Sequence, residues 1–112
     1  MMAQGALADF NEADFDARVL RRQGLTVIDF WSESCVPCKH LGRLLGEIAT
    51  EVSDSVLIGK VNSDENPALV ERFGIRAVPT VLFFRDGNVV ETRTGVDRRQ
   101  VLKKLIETYV RD

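Results

Sequence analysis

Trp31-Ser32-Glu33-Ser34-Cys35-Val36-Pro37-Cys38-Lys39 holds both cysteines of the chain, three positions apart. The apolar run Leu25-Thr26-Val27-Ile28-Asp29-Phe30-Trp31 leads into it. Leu41, Leu44, Leu45, Ile48 and Val52, at helical spacing, lead out. This pattern predicts a C-x-x-C where a buried strand ends and a helix over about residues 35–53 begins. In a first helical turn, residues three apart face one side, so the two sulfurs come within disulfide reach. The unpaired N–H groups and the positive end of the macrodipole lie there as well. Both favour a thiolate at Cys35, the reactive form of the side chain. Pro37 suits a first turn because it has no N–H to leave unpaired.

Three other chemistries use the same spacing. A structural zinc needs four ligands, and the chain offers two cysteines and one histidine, His40. Lys39 interrupts the C-x-x-C-H of haem attachment. A structural disulfide here closes a tiny loop and constrains the unfolded chain little. Redox catalysis is the favoured reading, because C-x-x-C beside a βαβ pattern is the spacing of dithiol exchange. Zinc and an inert disulfide remain the alternatives.

The 112 residues fit a single domain, 1–112, large enough to form a core without staples. Hydrophobic content of 45% and charged content of 29% are ordinary for a globular chain. A net charge of −2 gives no broad attraction to nucleic acid or membrane. The first nine residues lack the basic and apolar regions of a signal peptide. No apolar run approaches the roughly 20 residues of a membrane span. A cytoplasmic monomer is therefore expected, where two cysteines are more often catalytic than structural.

Along the chain, residues 6–10 suit a short edge strand. Asn11 reads as the N-cap of a helix from Glu12 to about Gln23, stopped by Gly24. Residues 25–31 read as a strand buried on both faces, as in the centre of a parallel sheet. Gly42 and Gly46 in the following helix either admit a close neighbour or mark a bend. Residues 56–62 form the next strand. Asn66-Pro67 then opens a short helix ending at Gly74. Residues 80–85 and 88–94 pair through an Asp86-Gly87 hairpin. Asp97 with Gln100 suggests a capping box for a last helix over about residues 98–111. The order β-α-β-α-β-α-β-β-α implies an α/β fold, a mixed sheet with helices on both faces.

At this point the sequence resembles a thioredoxin. Val27-Ile28-Asp29-Phe30-Trp31 with Cys35-Val36-Pro37-Cys38-Lys39 is similar to the family's active-site stretch. Phe73-Gly74-Ile75-Arg76-Ala77-Val78-Pro79-Thr80 is similar to its second hallmark, and Asp86-Gly87 to its hairpin. The likeness spans roughly residues 10–110. It implies the thioredoxin fold, a mixed sheet of about five strands flanked by about four helices. It implies that Cys35 attacks, Cys38 resolves, and the two cycle through a disulfide. Pro79 would be cis and face the cysteines, with Val78 offering backbone hydrogen bonds to substrate. Gly95 and Val96 would line the substrate groove, with Val36 and Pro37 on its apolar rim. Trp31 is either plain core or the substrate-side wall beside the disulfide, and both readings are compatible. No metal and no bound cofactor are implied. Electrons would come from NADPH through a separate thioredoxin reductase-like flavoprotein, and the substrates would be protein disulfides. A disulfide isomerase with dedicated clients, or an adaptor that merely uses the fold, are the alternative functions. Three positions depart from the family pattern. Ser34 stands where Trp is usual, Val36 where Gly is usual, and Arg43 where a kinking proline is common.

Asp29 sits inside an apolar strand, where a carboxylate is rarely buried unless paired. It is either an exposed edge residue or a partly buried acid near Cys38. Burial would raise its pKa, which suits a base that takes the resolving thiol's proton. Lys60, in a second apolar strand, either pairs with Asp29 across neighbouring strands or snorkels at a strand edge. Without the resemblance, Pro79 reads as a trans proline in an edge strand. His40 reads as a solvated helix residue, with a thiol-tuning role as the alternative.

Overall fold

In the computed structural model, which describes residues 7–110, five strands form one sheet in the order β1-β3-β2-β4-β5. They are β1 (Ala8–Asp9), β2 (Leu25–Trp31), β3 (Leu57–Asn62), β4 (Thr80–Arg85) and β5 (Asn88–Thr94). The three α-helices are α1 (Val36–Ala49), α2 (Pro67–Arg72) and α3 (Arg99–Val110), and a π-helical turn covers Asp16–Leu20. β1 and β2 flank β3 in parallel, while β4 runs antiparallel to both β2 and β5. The expected mixed sheet is present. Its central strand β2 has one parallel and one antiparallel neighbour rather than two parallel ones.

β2 is buried on both faces because its alternate side chains enter two separate cores. Leu25 and Val27 face Leu41, Leu45 and Ile48 of α1 and Leu102 and Ile106 of α3. Ile28 and Phe30 face the opposite side, with Phe15, Val19, Leu69 and Phe84. There the Phe73 ring lies 5.5 Å from both Phe15 and Phe84, edge-on to the latter. The Asp86-Gly87 hairpin forms as expected, with positive φ at both residues (52° and 86°).

Three expected helix boundaries shift. Asn11 caps its turn, its Oδ1 accepting from Ala13 and Asp14 N–H. The helix it opens is cut short, because Arg22 turns away to donate to Leu25 O and Ser55 O, and Gly24 follows at φ 92°. α1 stops at Ala49 rather than near Ser53. Thr50 N and Glu51 N bond three residues back, and the Thr50 hydroxyl also donates to Glu47 O, which tightens the last turn. α3 begins at Arg99, which displaces the expected capping box. The Asp97 carboxylate accepts from Arg93 Nε and Nη2. The expected edge strand and last helix also took in Ala6 and Arg111, which lie outside the described residues.

Asn66 precedes α2, but its side chain does not cap the helix. Its Oδ1 accepts from Glu12 N and its Nδ2 donates to Asn62 O. The helix N-terminus is capped instead from far along the chain, by Glu12 Oε2 accepting from Ala68 N at 2.8 Å. Among the described residues, no helix is long and apolar enough to cross a membrane.

Candidate functional site

After β2 the chain turns at Ser32, whose carbonyl accepts from Cys35 N at 3.2 Å. Cys35 then takes the N-cap position of α1 with extended backbone, and its Sγ accepts from Cys38 N at 3.2 Å. This is the N-cap bond that a serine or aspartate usually makes, here made by sulfur. Pro37 lies in the first turn. The two cysteines are joined as a disulfide, with Cα atoms 5.2 Å apart. They differ in access: Cys35 is half-buried, while Cys38 is 2% exposed.

The surface beside Cys35 is apolar. Val36 is 75% exposed and Val96 40%, which places bare aliphatic groups on the rim rather than in a core. Cys35 Sγ lies 3.8 Å from Val78 O. The Val78–Pro79 peptide is cis, as the resemblance implies, so the trans reading of Pro79 does not hold. Pro79 O accepts from Gly95 N at 2.9 Å, with Gly95 at φ 90°. That bond fixes Gly95 and Val96 beside Pro79. The structure therefore brings Cys35, Val36, Val78, Pro79, Gly95 and Val96 to one surface.

A second compartment lies behind the disulfide. A cavity of about 270 Å³ is lined by Asp29, Trp31, Cys38, Lys39, Arg43 and Lys60, among others. It is large enough and polar enough for several waters. Gly42 also lines it, and a Cβ there would meet nothing within 4 Å. Gly42 thus opens space rather than admitting a close neighbour. Asp29 is 1% exposed, and its Oδ1 has no hydrogen-bond partner. The exposed-edge reading of Asp29 is excluded. Burial pushes its pKa up to about 7, and the Lys60 charge offsets part of the rise.

Lys60 is the in-register neighbour of Asp29 on β3. Its ion pair, however, is to Asp9 Oδ1 at 4.0 Å, and its Nζ lies 5.2 Å from the Trp31 ring centroid. β3 is an interior strand, so Lys60 does not snorkel at a sheet edge. Asp9 is absent from the sequence expectations, because a two-residue strand carries no periodicity. His40 is exposed on α1. Among the described residues, no group of three or more His, Cys, Asp and Glu side chains is arranged to hold a metal.

A strand-to-helix turn that presents one sulfur to an apolar groove and buries its partner over an acid defines a class, the thiol–disulfide oxidoreductases. The comparisons agree. The thioredoxin family model matches residues 6–108. The thioredoxin of Rhodospirillum rubrum is 37% identical over 100 residues, covering 89% of this chain and 96% of that protein. Thioredoxin of Buchnera aphidicola is 34% identical over 104 residues (93% and 96% covered), and thioredoxin 1 of Synechococcus elongatus 35% over 103 (92% and 96%). The chain belongs to the thioredoxin family.

Proposed function

We propose that this protein reduces protein disulfides, with Cys35 as the attacking thiol and Cys38 as the resolving thiol. The observation that carries the reading is the asymmetry of the pair, one sulfur beside the apolar groove and the other buried over Asp29. An extended substrate segment docks on Val78, Pro79, Gly95 and Val96, against the rim of Trp31, Val36 and Pro37. Cys35 thiolate, favoured by the helix N-terminus, attacks one substrate sulfur. A Cys35–substrate disulfide forms, and the other substrate sulfur leaves as a thiolate that takes a proton from water. Asp29, with a pKa of about 7, accepts the Cys38 proton directly or through water in the cavity. Cys38 thiolate then attacks Cys35 Sγ, and the second substrate sulfur leaves. Two electrons have passed to the substrate, and Cys35–Cys38 is the disulfide.

Lys60 moderates the Asp29 charge and is grouped with it as part of the proton-handling machinery. A thioredoxin reductase-like flavoprotein returns two electrons from NADPH, so this chain holds no cofactor of its own. A reducing, cytoplasmic setting and a monomeric state fit this role.

The test is a trap. Cys38→Ser leaves the attack intact and removes the resolution, so Cys35 should accumulate mixed disulfides with client proteins on non-reducing gels of a cell extract. Cys35→Ser should trap none. Equal trapping by the two variants overturns the assignment of roles. A partner retained undiminished by the double serine variant favours an adaptor instead.

A further inference from the structure

We propose that Asp9 is a positioning residue for the resolving step, holding the Lys60 ammonium on the β1 side of the cavity and away from the Asp29 carboxyl. This rests on Asp29 as the proton acceptor. The geometry is a row across three strands. β1 and β2 flank β3 in parallel, Asp9 is in register with Lys60, and Lys60 is in register with Asp29. Neighbouring strands lie about 4.8 Å apart, so in-register side chains on one face are adjacent. A lysine between two carboxylates has a stem long enough to lean either way.

It leans outward. The ammonium is 4.0 Å from Asp9 Oδ1 and lies over the Trp31 ring, and Asp29 Oδ1 is left buried without a partner. The physical reason is desolvation. The Asp9 side chain is 72% exposed and that of Lys60 33%, so their pair keeps its water. Moving the ammonium onto Asp29, which is already buried, would strip the ammonium's water, while Asp9 stays solvated in either arrangement. Exposed pairs are weak, so Asp9 biases the lysine rather than locking it.

The other charges around these groups do not substitute for Asp9. Lys39 and Arg43 of α1 face the cavity and carry the same sign as Lys60. Glu33 and Glu65 line the adjoining hollow with Asp9 and Lys60, but neither is ion-paired to Lys60. Cys38 is the remaining ionisable neighbour in the cavity, and in the disulfide it does not titrate. With the Asp9 charge gone, Lys60 is free to approach Asp29 and favour its ionised form, which makes it a weaker base toward a thiol.

The experiment uses the full chain. Stability of the disulfide form is measured by denaturant unfolding between pH 4 and pH 9, where the inflection reports Asp29. Single-turnover resolution of a mixed disulfide is measured over the same range. In Asp9→Asn both inflections should move to lower pH by about half a unit, a change on the order of threefold in the Asp29 proton equilibrium. Asp9→Glu should restore them. In a Lys60→Met background, Asp9→Asn should move them much less. An unmoved stability inflection overturns the proposal, as does an equal shift in the Lys60→Met background, which would mean that Asp9 acts on Asp29 directly. A shift in stability alone, with resolution unchanged, upholds the positioning of Lys60 and removes Asp29 from the proton transfer. That failure belongs to the functional reading and is separable from the first.

Discussion

Asp29 faces two opposing requirements. A strand buried on both faces favours apolar side chains, and the proton-accepting role proposed for this acid calls for a high pKa. Burial serves the second at the expense of the first. With the folded pKa at about 7 against 3.8 for the ordinary group, the folded state binds a proton that the unfolded state has already lost. The Asp29 contribution to stability is therefore full below pH 3.8, is lost as pH rises from there to about 7, and is flat above. The cost at and above neutral pH is roughly 4 kcal/mol. Asp29→Asn removes the charge at nearly constant shape. It should match the parent protein near pH 4 and exceed it at pH 8 by up to about 4 kcal/mol, as read from urea midpoints. The same variant should resolve mixed disulfides more slowly at neutral pH and recover at high pH, where Cys38 ionises unaided. Equal stability at pH 8 with normal turnover would mean that Asp29 is not the proton acceptor.

At the scale of the element, the two-residue strand β1 is held by contacts made beyond it. Gly59 of β3 is where it packs most closely, in register with Ala8. A Cβ there would sit 2.9 Å from Ala8 O and press into the Phe10 ring. Gly59→Ala should therefore cost about 1–3 kcal/mol and displace β1, carrying Asp9 away from Lys60. Guanidinium unfolding would measure the first effect, and the pH inflection of stability the second. A neutral Gly59→Ala would show that β1 adapts freely. Asn66 performs a similar service for α2. It is 5% exposed and bridges Glu12 N and Asn62 O, and Glu12 in turn caps Ala68. Asn66→Ala leaves those groups unpaired and should destabilise by roughly 1–3 kcal/mol, measured by the same unfolding. Neither arrangement is legible in a sequence window, because each joins segments about fifty residues apart. Strands β2, β4 and β5 are legible to the residue, because each is an apolar or alternating run ended by a turn residue. The π-helical turn is not, because Arg22 leaves the helix for tertiary partners at Leu25 and Ser55.

At the scale of the whole molecule, the sheet separates two jobs. One face packs Phe15, Phe30, Phe73 and Phe84 and serves as foundation. The other carries α1, and with it the disulfide, the cavity and Asp29. α3 clamps α1 and the turn that follows it from outside, through Arg99 to Glu47 of α1 and through Arg99 and Lys103 to Glu51 of the turn. The C-x-x-C and its helix are readable from residues 31–39, since that chemistry is local, whereas the cis Val78–Pro79 peptide is reached only through the family resemblance of residues 73–80 and reads as trans without it. The partner of Lys60 is not readable, since it depends on which strand lies on the far side of β3. The proposed function makes this pair a reductant. Its most direct test is the equilibrium of Cys35–Cys38 with glutathione, read by alkylation of the free thiols. A potential near the family value of about −270 mV predicts roughly ten disulfide molecules to each dithiol at a poise of about −240 mV. A pair found almost wholly as dithiol at that poise, with a potential near −120 mV, would make the protein an oxidant and contradict the account.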